Sequence, residues 1–214
     1  MVICVAGPIA AGKNYVCSIF EERGFFCVDA DQEIHKIIGD KQAEILSRFS
    51  QSATSRGINL RAADGSLDRR ALGKLLFKDS ALLAEQEKIL YPEFVARVQA
   101  LIDENQKASQ AQEGGGSLGL ANASGLAINA ALLYKTPSLL RQCQKIIYVD
   151  APLLVRAWRI RRRDRLPLLQ IIRRIKSQRG LYDQYKKFAA DYGIEMVVVR
   201  NWGKKACQTL EGLS

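Results

Sequence analysis

The segment that most constrains the fold of this chain lies at its N-terminus. An apolar run, VICVA at positions 2–6, breaks into a loop of small residues, GPIAAG, and a helical pattern begins at Lys13. A buried strand followed by a tight turn and a helix N-terminus suits a phosphate, because loop N–H groups and the helix dipole both favour an anion. Gly7, Gly12 and Lys13 match the pattern G-x-x-x-x-G-K-[ST], with Asn14 in its last position. We predict a phosphate-binding loop; the alternative is an ordinary strand-to-helix turn with a chance Gly-Lys pair.

The composition describes a globular protein with one principal core. The chain has 214 residues, of which 48% are hydrophobic and 25% charged, and no apolar run is long enough to span a bilayer. The N-terminus runs straight into the first strand without a basic region or a small-residue cleavage site. These features predict a cytoplasmic protein with no membrane partner.

The cysteines exclude two common kinds of site. There are five, widely scattered and without a C-x-x-C pair, and His35 is the one histidine in the sequence. A disulfide framework and a zinc site are therefore not expected. Cys4 and Cys27, inside apolar runs, are interpreted as packing residues.

Near-continuous apolar runs predict four more strands, at 25–28, 126–133, 145–149 and 196–199. Such runs, separated by helical patterns, are typical of a parallel sheet that is covered on both faces. The second run ends in Asp29 and Asp31, whose side chains point the same way on an extended segment. If this strand is parallel to the first, both carboxylates lie beside the phosphate loop, where α/β sheets bind ligands. One of them can equally serve as the N-cap of the next helix.

A helical block without a strand candidate follows the second strand. A helix is expected from Glu33 to Phe49 with an interruption at Gly39, and another after Asp68, its N-cap, ending near Lys78. Further helices are predicted at 81–90 and from Pro92 onward. The glycine-rich stretch 113–125 has the composition of a flexible linker.

The net charge of +10 is concentrated in one segment. Positions 156–179 contain nine Arg and one Lys against one acid, Asp164. Pro152 and Pro167 each open a helix, and Arg156, Arg159 and Arg163 fall on one face of the first. A helical hairpin of this kind could close over phosphates as a lid, since the guanidinium fork suits bidentate phosphate contacts. A solvated basic face and a nucleic-acid surface are the alternatives, and we place nucleic-acid binding last.

Over almost its whole length the chain resembles the dephospho-coenzyme A kinases, a family of P-loop kinases. The matching segments occur in the family's order, and the most specific is DGSLDRRALGKLLF at 64–77. The others are GPIAAGKN, VDAD ending at Asp31, Ala151-Pro152, Arg159, Arg163-Asp164, Arg174-Ile175, Gln178 and Asn201-x-Gly203. Tyr91-Pro92 stands where the family usually has His-Pro.

The resemblance implies a fold and a reaction. The fold is a three-layer α/β P-loop kinase domain over 1–214, with a five-stranded parallel sheet and helices on both faces. Its core would be 1–31, 126–155 and 190–214, with a helical substrate-side insertion at 32–112, a glycine-rich loop at 113–125 and a lid at 156–180. The reaction is ATP-dependent phosphorylation of the ribose 3′-hydroxyl of dephospho-CoA, with Mg²⁺ as cofactor. The alternatives are another nucleoside or nucleotide kinase and a catalytically impaired nucleotide-binding homologue.

The resemblance also implies roles for single residues. Lys13 would lie on the β- and γ-phosphates, Asp31 would take the proton of the acceptor hydroxyl, and Arg159 and Arg163 would close from the lid. The acceptor would contact Asp29, Asp31 and Arg69. At Asn14, a contact with the metal would come from the amide oxygen, through water, or not at all. The residues implied in ATP binding are Gly7, Ala10, Ala11, Gly12, Lys13, Asn14, Tyr15 and Asn201.

This sequence departs from the family at several of these positions. Asn14 and Tyr15 replace the usual Ser-Thr pair, and Arg156 stands in place of a usual Gln. Asn129 and Lys135 replace acidic residues, and Met196 replaces a late Asp. Several of these changes remove acids or hydroxyls from the surroundings of the metal and phosphates, so they suggest a slow or altered kinase.

Overall fold

Five parallel strands form the sheet of this protein. The computed structural model describes residues 1–77, 79–110 and 123–202, and its strands are β1 (Val2–Ala6), β2 (Phe25–Asp29), β3 (Gly125–Asn129), β4 (Lys145–Asp150) and β5 (Glu195–Arg200). Their order is β2-β3-β1-β4-β5, and every pairing is parallel. The predicted parallel sheet is confirmed.

Strand β1 lies at the centre of the sheet, and all its residues are buried. It pairs with β3 on one side and β4 on the other. Ile3 and Val5 pack with Val16 and Phe20 of helix α1 (Lys13–Glu22), which follows the loop as predicted. The burial of this central strand explains its unbroken apolar sequence.

The third strand is shorter than predicted. It ends at Asn129, not at residue 133, although the apolar sequence continues. The last register pair with β1 is Val5 with Asn129, and the chain then turns around the buried Tyr185. The hydroxyl of Tyr185 accepts from Leu133 N (2.9 Å) and donates to Ala131 O (3.2 Å). Ala130 and Leu133 of this segment are buried although the chain is no longer extended, so its apolar sequence reflects packing at the turn and not a longer strand.

The helices after β2 lie in the predicted helical block, but several of their bounds differ from the prediction. They are α2 (Ala30–Asp40), α3 (Gln42–Thr54), α4 (Arg69–Phe77) and α5 (Ser80–Gln110). The break after α2 falls at Lys41, not at Gly39, because Gly39 stays inside the last turn that Lys41 N closes on Ile37 O. Asp68 is an N-cap as predicted, since its carboxylate accepts from the N–H groups of residues 70 and 71.

Pro92 does not start a new helix. It lies inside α5, which runs without interruption through the two helices that the sequence predicted. A proline removes one helical hydrogen bond and crowds the preceding turn, but Leu90 and Phe94 on either side of it are buried. Packing of this apolar stripe outweighs the local preference of the proline.

The chain divides into two compact units, one of Met1–Ala30 with the described residues from Val98 on, the other of Asp31–Arg97. Within the second unit, Arg97 bonds Asp40 of α2 and Glu93 of its own helix. The division into core, insertion and lid stays a prediction. Gly125, assigned to the glycine-rich loop, begins β3, and residues 113–122 of that loop lie outside the described residues.

The remaining helices belong to the first unit. They are the short α6 (Pro137–Leu140), α7 (Leu153–Asp164), α8 (Leu168–Lys176) and α9 (Leu181–Tyr192). Pro152 and Pro167 are the N-caps of α7 and α8, so both predicted helix starts are confirmed. The two helices pack against each other and form the predicted helical hairpin. None of the described helices is long and apolar enough to cross a membrane.

Candidate active site

The loop between β1 and α1 has a conformation that its glycines make possible. Gly7 and Gly12 have φ angles of 147° and 98°, and Ala10, at 59°, is also left-handed. A Cβ on Gly7 would lie 2.2 Å from Val149 O, and one on Gly12 would lie 2.0 Å from Asn201 Nδ2. Both glycines are therefore required by close packing as well as by φ.

Arginine and asparagine side chains hold the loop by its carbonyl groups. Arg159 Nη1 donates to the carbonyls of Ala10 (3.1 Å) and Ala11 (3.0 Å), and Asn201 Nδ2 also donates to Ala11 O (2.9 Å). Arg159 Nη2 also donates to the backbone carbonyl of Asn201 (3.0 Å) and so links the two residues. Arg156 Nε donates to Ile9 O (2.9 Å).

This arrangement orients the N–H groups of the loop. In a trans peptide the carbonyl and the N–H point to opposite sides, and the described chain has no cis peptide. When Ile9 O and Ala11 O face the side chains that hold them, the N–H groups of Ala10 and Gly12 face the other way. The N–H of Ala11, by contrast, closes a turn on Pro8 O (3.1 Å). Two oriented N–H groups at the start of α1 suit an anion.

Lys13 lies across the loop that it follows. Its Nζ donates to Gly7 O (3.1 Å), so the ammonium is held over the loop by the residue that opens it. Asn14 and Tyr15, one and two residues further on, are exposed. The structure thus brings Gly7, Ala10, Ala11, Gly12, Lys13 and Asn201 into one loop assembly.

Two asparagines meet beside the helix start. Asn129 ends β3 and donates from Nδ2 to Asn14 Oδ1 (2.9 Å). Asn129 is buried, and its Oδ1 has no hydrogen-bond partner within the described residues. Asp29 stands opposite Asn129 in the β2–β3 register. Amide and carboxylate oxygens therefore meet at this edge of the sheet.

Arg163 lies away from this assembly, at the far end of α7. It is exposed and forms an ion pair with Asp164 (2.7 Å), which Arg174 of α8 also contacts (3.1 Å). The hydrogen bond from Arg163, with the charges of both arginines, holds the pKa of Asp164 below its usual range. The contact between Asp164 and Arg174 joins α7 to α8.

The residues predicted to meet the acceptor lie in both units. Asp29 is the last residue of β2 in the first unit, and Asp31 is exposed in the first turn of α2 in the second. Arg69 opens α4, and its guanidinium is 3.9 Å from the position that a Cβ on Gly39 would take. Their roles stay predictions.

Sequence reasoning missed two contacts of the loop. Gln178 Oε1 accepts from Ile9 N (2.6 Å), and Arg156 binds the carbonyl of the same residue. Both residues were assigned to the lid, and neither was expected to touch the loop. The sequence offered two indications, the family spacing at Gln178 and the departure from the family at Arg156. Neither indicates which residue these side chains contact.

Four described cysteines, Cys4, Cys17, Cys27 and Cys143, are free thiols. Burial raises the pKa of Cys143 to about 12 and that of Cys4 well above its usual value. Among the described residues, no group of three or more His, Cys, Asp and Glu could hold a metal ion. Contact between Asn14 and a cation stays a prediction.

Comparison with known proteins identifies the family. The dephospho-CoA kinase family model matches residues 1–196. The chain is 35% identical to the dephospho-CoA kinase of Treponema pallidum over 85% of this chain and 80% of that protein. It is 33% identical to the Treponema denticola enzyme over 96% and 84%, respectively.

Solved structures agree with the sheet and helices described above. The crystal structure of TT1252 from Thermus thermophilus matches with a TM-score of 0.72 at 21% identity, covering 100% of this chain and 97% of that one. The dephospho-CoA kinase from Campylobacter jejuni matches with a TM-score of 0.58 at 22% identity, covering 99% and 93%. These likenesses support the three-layer α/β fold. By the match of its own sequence over residues 1–196, the chain belongs to the dephospho-CoA kinase family of phosphotransferases.

Proposed function

We propose that this protein transfers the γ-phosphoryl group of ATP to the ribose 3′-hydroxyl of dephospho-CoA, giving CoA and ADP in the last step of coenzyme A biosynthesis. The observation that carries the proposal is the family match over residues 1–196 on a chain whose loop has oriented N–H groups. Phosphoryl transfer depends mostly on positioning and on electrostatic stabilisation, which such a loop can supply.

In this proposal the loop and Lys13 bind the ATP phosphates. The N–H groups of Ala10 and Gly12 contact phosphate oxygens, and the Lys13 ammonium exchanges Gly7 O for the β- and γ-phosphates. Asn201 supports the nucleotide site by keeping the carbonyl of Ala11 in place. Arg159 and Arg163 add positive charge near the transferring group.

The acceptor would be activated by Asp31. Its carboxylate takes the proton of the 3′-hydroxyl as the oxygen bonds to the γ-phosphorus and the bond to the β–γ bridging oxygen breaks. Asp29 and Arg69 would orient the acceptor. If Asp31 is the base, Asp31→Asn will depress turnover far more than ATP affinity; an equal loss of both would assign it to ATP or metal binding.

Mg²⁺ is the cofactor that the family implies, and the residues present fit it. Mg²⁺ takes oxygen ligands and is usually held by phosphates, water and one or two protein groups. Such oxygens are Asn14 Oδ1, the Asp29 carboxylate and the buried Asn129 Oδ1, which has no partner in the part of the chain that the structure describes. Asn14 would hold the ion directly or through water. When bound, Mg²⁺ neutralises phosphate charge.

The test is an ADP-release assay with purified protein, ATP and dephospho-CoA, with product identified by mass. Turnover to CoA is expected, and Lys13→Ala should abolish it while the thermal unfolding midpoint stays unchanged. A screen of nucleosides and nucleotides as acceptors runs in parallel. Turnover of one of these and none of dephospho-CoA would refute the proposal.

A catalytically impaired homologue is the second candidate, and the Asn14–Asn129 pair favours it. These amides occupy positions where the family usually has a hydroxyl and an acid, so the protein charge facing a cation is reduced. ATP binding without turnover of any acceptor would support this candidate. The cytoplasmic location remains a prediction, which cell fractionation would test.

A further inference from the structure

Ile9, in the middle of the phosphate loop, is held on both sides by residues of the predicted lid. Its N–H donates to Gln178 Oε1 at 2.6 Å, and its carbonyl accepts from Arg156 Nε at 2.9 Å. Arg156 lies on α7, and Gln178 lies just beyond the end of α8. Both helices of the hairpin thus connect to one residue of the loop.

Arg156 is buried at a cost in stability. It is 7% exposed, and its Nη2 has no hydrogen-bond partner among the described residues. Burial lowers the pKa of its guanidinium, and the nearby Asp150 and Tyr148 oppose that shift. An unsatisfied buried donor lowers folding stability. Stability alone therefore does not account for an arginine at this position. The hydrogen bond of Arg156 to Ile9 O of the loop suggests a second role.

The contact with Ile9 acts on the strained part of the loop. Ile9 O belongs to the peptide whose N–H is that of Ala10, a non-glycine residue with φ of 59°. A left-handed alanine costs free energy and is held by its surroundings. By fixing Ile9 O, Arg156 keeps the N–H of Ala10 pointing to the opposite side, where the phosphates are expected.

We propose that Arg156 is a positioning residue for the phosphate loop, and that Gln178 holds the other face of the same residue, so that lid and loop are coupled through Ile9. Arg156 acts on phosphate through the Ala10 N–H and not by its own contact. This inference rests on the proposed function for its effect on turnover, but its effect on ATP binding is independent of the acceptor.

The test uses Arg156→Met, which keeps an unbranched side chain about as far as the Nε position and removes both the donor at Ile9 and Nη2, which has no partner among the described residues. Isothermal titration with a non-hydrolysable ATP analogue gives the Kd, and thermal unfolding gives the Tm. Arg156→Met should raise the Kd about tenfold while the Tm stays equal or rises. Arg161→Met, an exposed change of the same chemistry on the same helix, should change the Kd less than twofold.

Gln178→Met and the double variant test the coupling. Gln178→Met should weaken ATP binding several-fold, and the double variant should lose less than the product of the two single losses, because both contacts fix one residue. Fully multiplicative losses would overturn the coupling. Arg156→Lys, which keeps the charge but lacks the guanidinium Nε, should not restore binding; full restoration would show that charge and not the held carbonyl matters.

Two further results would overturn the positioning role. One is an ATP Kd for Arg156→Met within twofold of wild type. The other is a loss of affinity that follows a loss of Tm in both the Met and Lys variants, as a purely structural residue would give. If Arg156→Met does not fold, the Lys variant is judged by the same two criteria. Absence of dephospho-CoA turnover in the wild type would refute the proposed function and leave the binding test intact.

Discussion

The two halves of helix α7 carry arginines on one face, yet these arginines have different surroundings. Arg156 and Arg159, toward the N-terminal end, bind carbonyl groups of the phosphate loop and are largely withdrawn from water. Arg163, one turn further on, is exposed and paired with Asp164. Helical spacing places the three together, but only the inner two touch the loop.

The inner and outer arginines therefore have different predicted roles: the inner ones fix the shape of the loop, and the outer one acts on the bound substrate. The guanidinium groups of the inner arginines donate hydrogen bonds to backbone carbonyls, so they fix the shape of the loop before a nucleotide binds. The outer arginine has an exposed side chain, and we predict that it exchanges Asp164 for a phosphate oxygen if the predicted lid closes. Loss of an inner arginine should therefore affect ATP binding, and loss of the outer one should affect the chemical step.

The largest effect is expected from Gly12→Ala, which breaks the inner assembly. The new Cβ would lie 2.0 Å from Asn201 Nδ2 on a residue with φ of 98°. We expect loss of measurable ATP binding by titration, on the order of 100-fold or more, because strain and displacement of Asn201 act together. Gly73→Ala is the matched control: no atom lies within 4 Å of its Cβ position, and alanine favours the helix. ATP binding by Gly12→Ala at wild-type affinity would contradict the loop geometry.

Arg159→Met should come next. It removes three hydrogen bonds to carbonyls of the loop and of Asn201. We expect about 2 kcal/mol lower stability to chemical unfolding and an ATP Kd raised by about one order of magnitude or more. A variant that lowers turnover without changing ATP affinity or stability would mean that the inner and outer arginines act alike.

Arg163→Met tests the other side of the comparison. Its side chain is 63% exposed, so removal should leave the Tm and the ATP Kd near wild type. Turnover should fall about 10- to 100-fold if the guanidinium stabilises the transferring phosphoryl group. The measurement is kcat and KM for both substrates, and unchanged kcat would remove Arg163 from the catalytic set.

The smallest effect is expected for Asn14→Ser. A serine hydroxyl restores the residue type usual in phosphate loops and breaks the bond from Asn129. The Mg²⁺ concentration for half-maximal activity should fall a few-fold, measured by titrating Mg²⁺ at fixed ATP. An unchanged titration would show that position 14 does not limit metal use.

Local pattern predicted most of the fold. The apolar runs of β1, β2, β4 and β5 and the caps at Asp68, Pro152 and Pro167 were identified because each depends on neighbouring residues. The errors arose where packing opposed local pattern. Pro92 lies inside α5, and the buried Leu133 belongs to a turn that is bonded to Tyr185, 52 positions further along the chain.

The sequence predicted which residues belong to the site, but not which of them contact one another. The phosphate loop was visible because glycine spacing and the following lysine are contiguous. The contacts of Arg156, Arg159 and Gln178 with loop carbonyls and N–H groups span 147 to 169 positions and depend on how α7 and α8 lie on the sheet. Helical periodicity predicts which side chains share one face of a helix, but the residues that this face contacts depend on the tertiary structure.

The free cysteines offer a built-in probe of how this molecule opens. Cys4 is fully covered at the centre of β1 and Cys143 is nearly so, whereas Cys27 is half-buried on the outer strand β2. A thiol reagent would modify Cys27 through local fluctuations, and Cys4 only when strands of the sheet separate. Mass spectrometry would measure both rates of modification. If ATP binds the folded protein, it should slow the modification of Cys4, and the size of this slowing would measure how much ATP stabilises the sheet. The experiment uses only the natural cysteines.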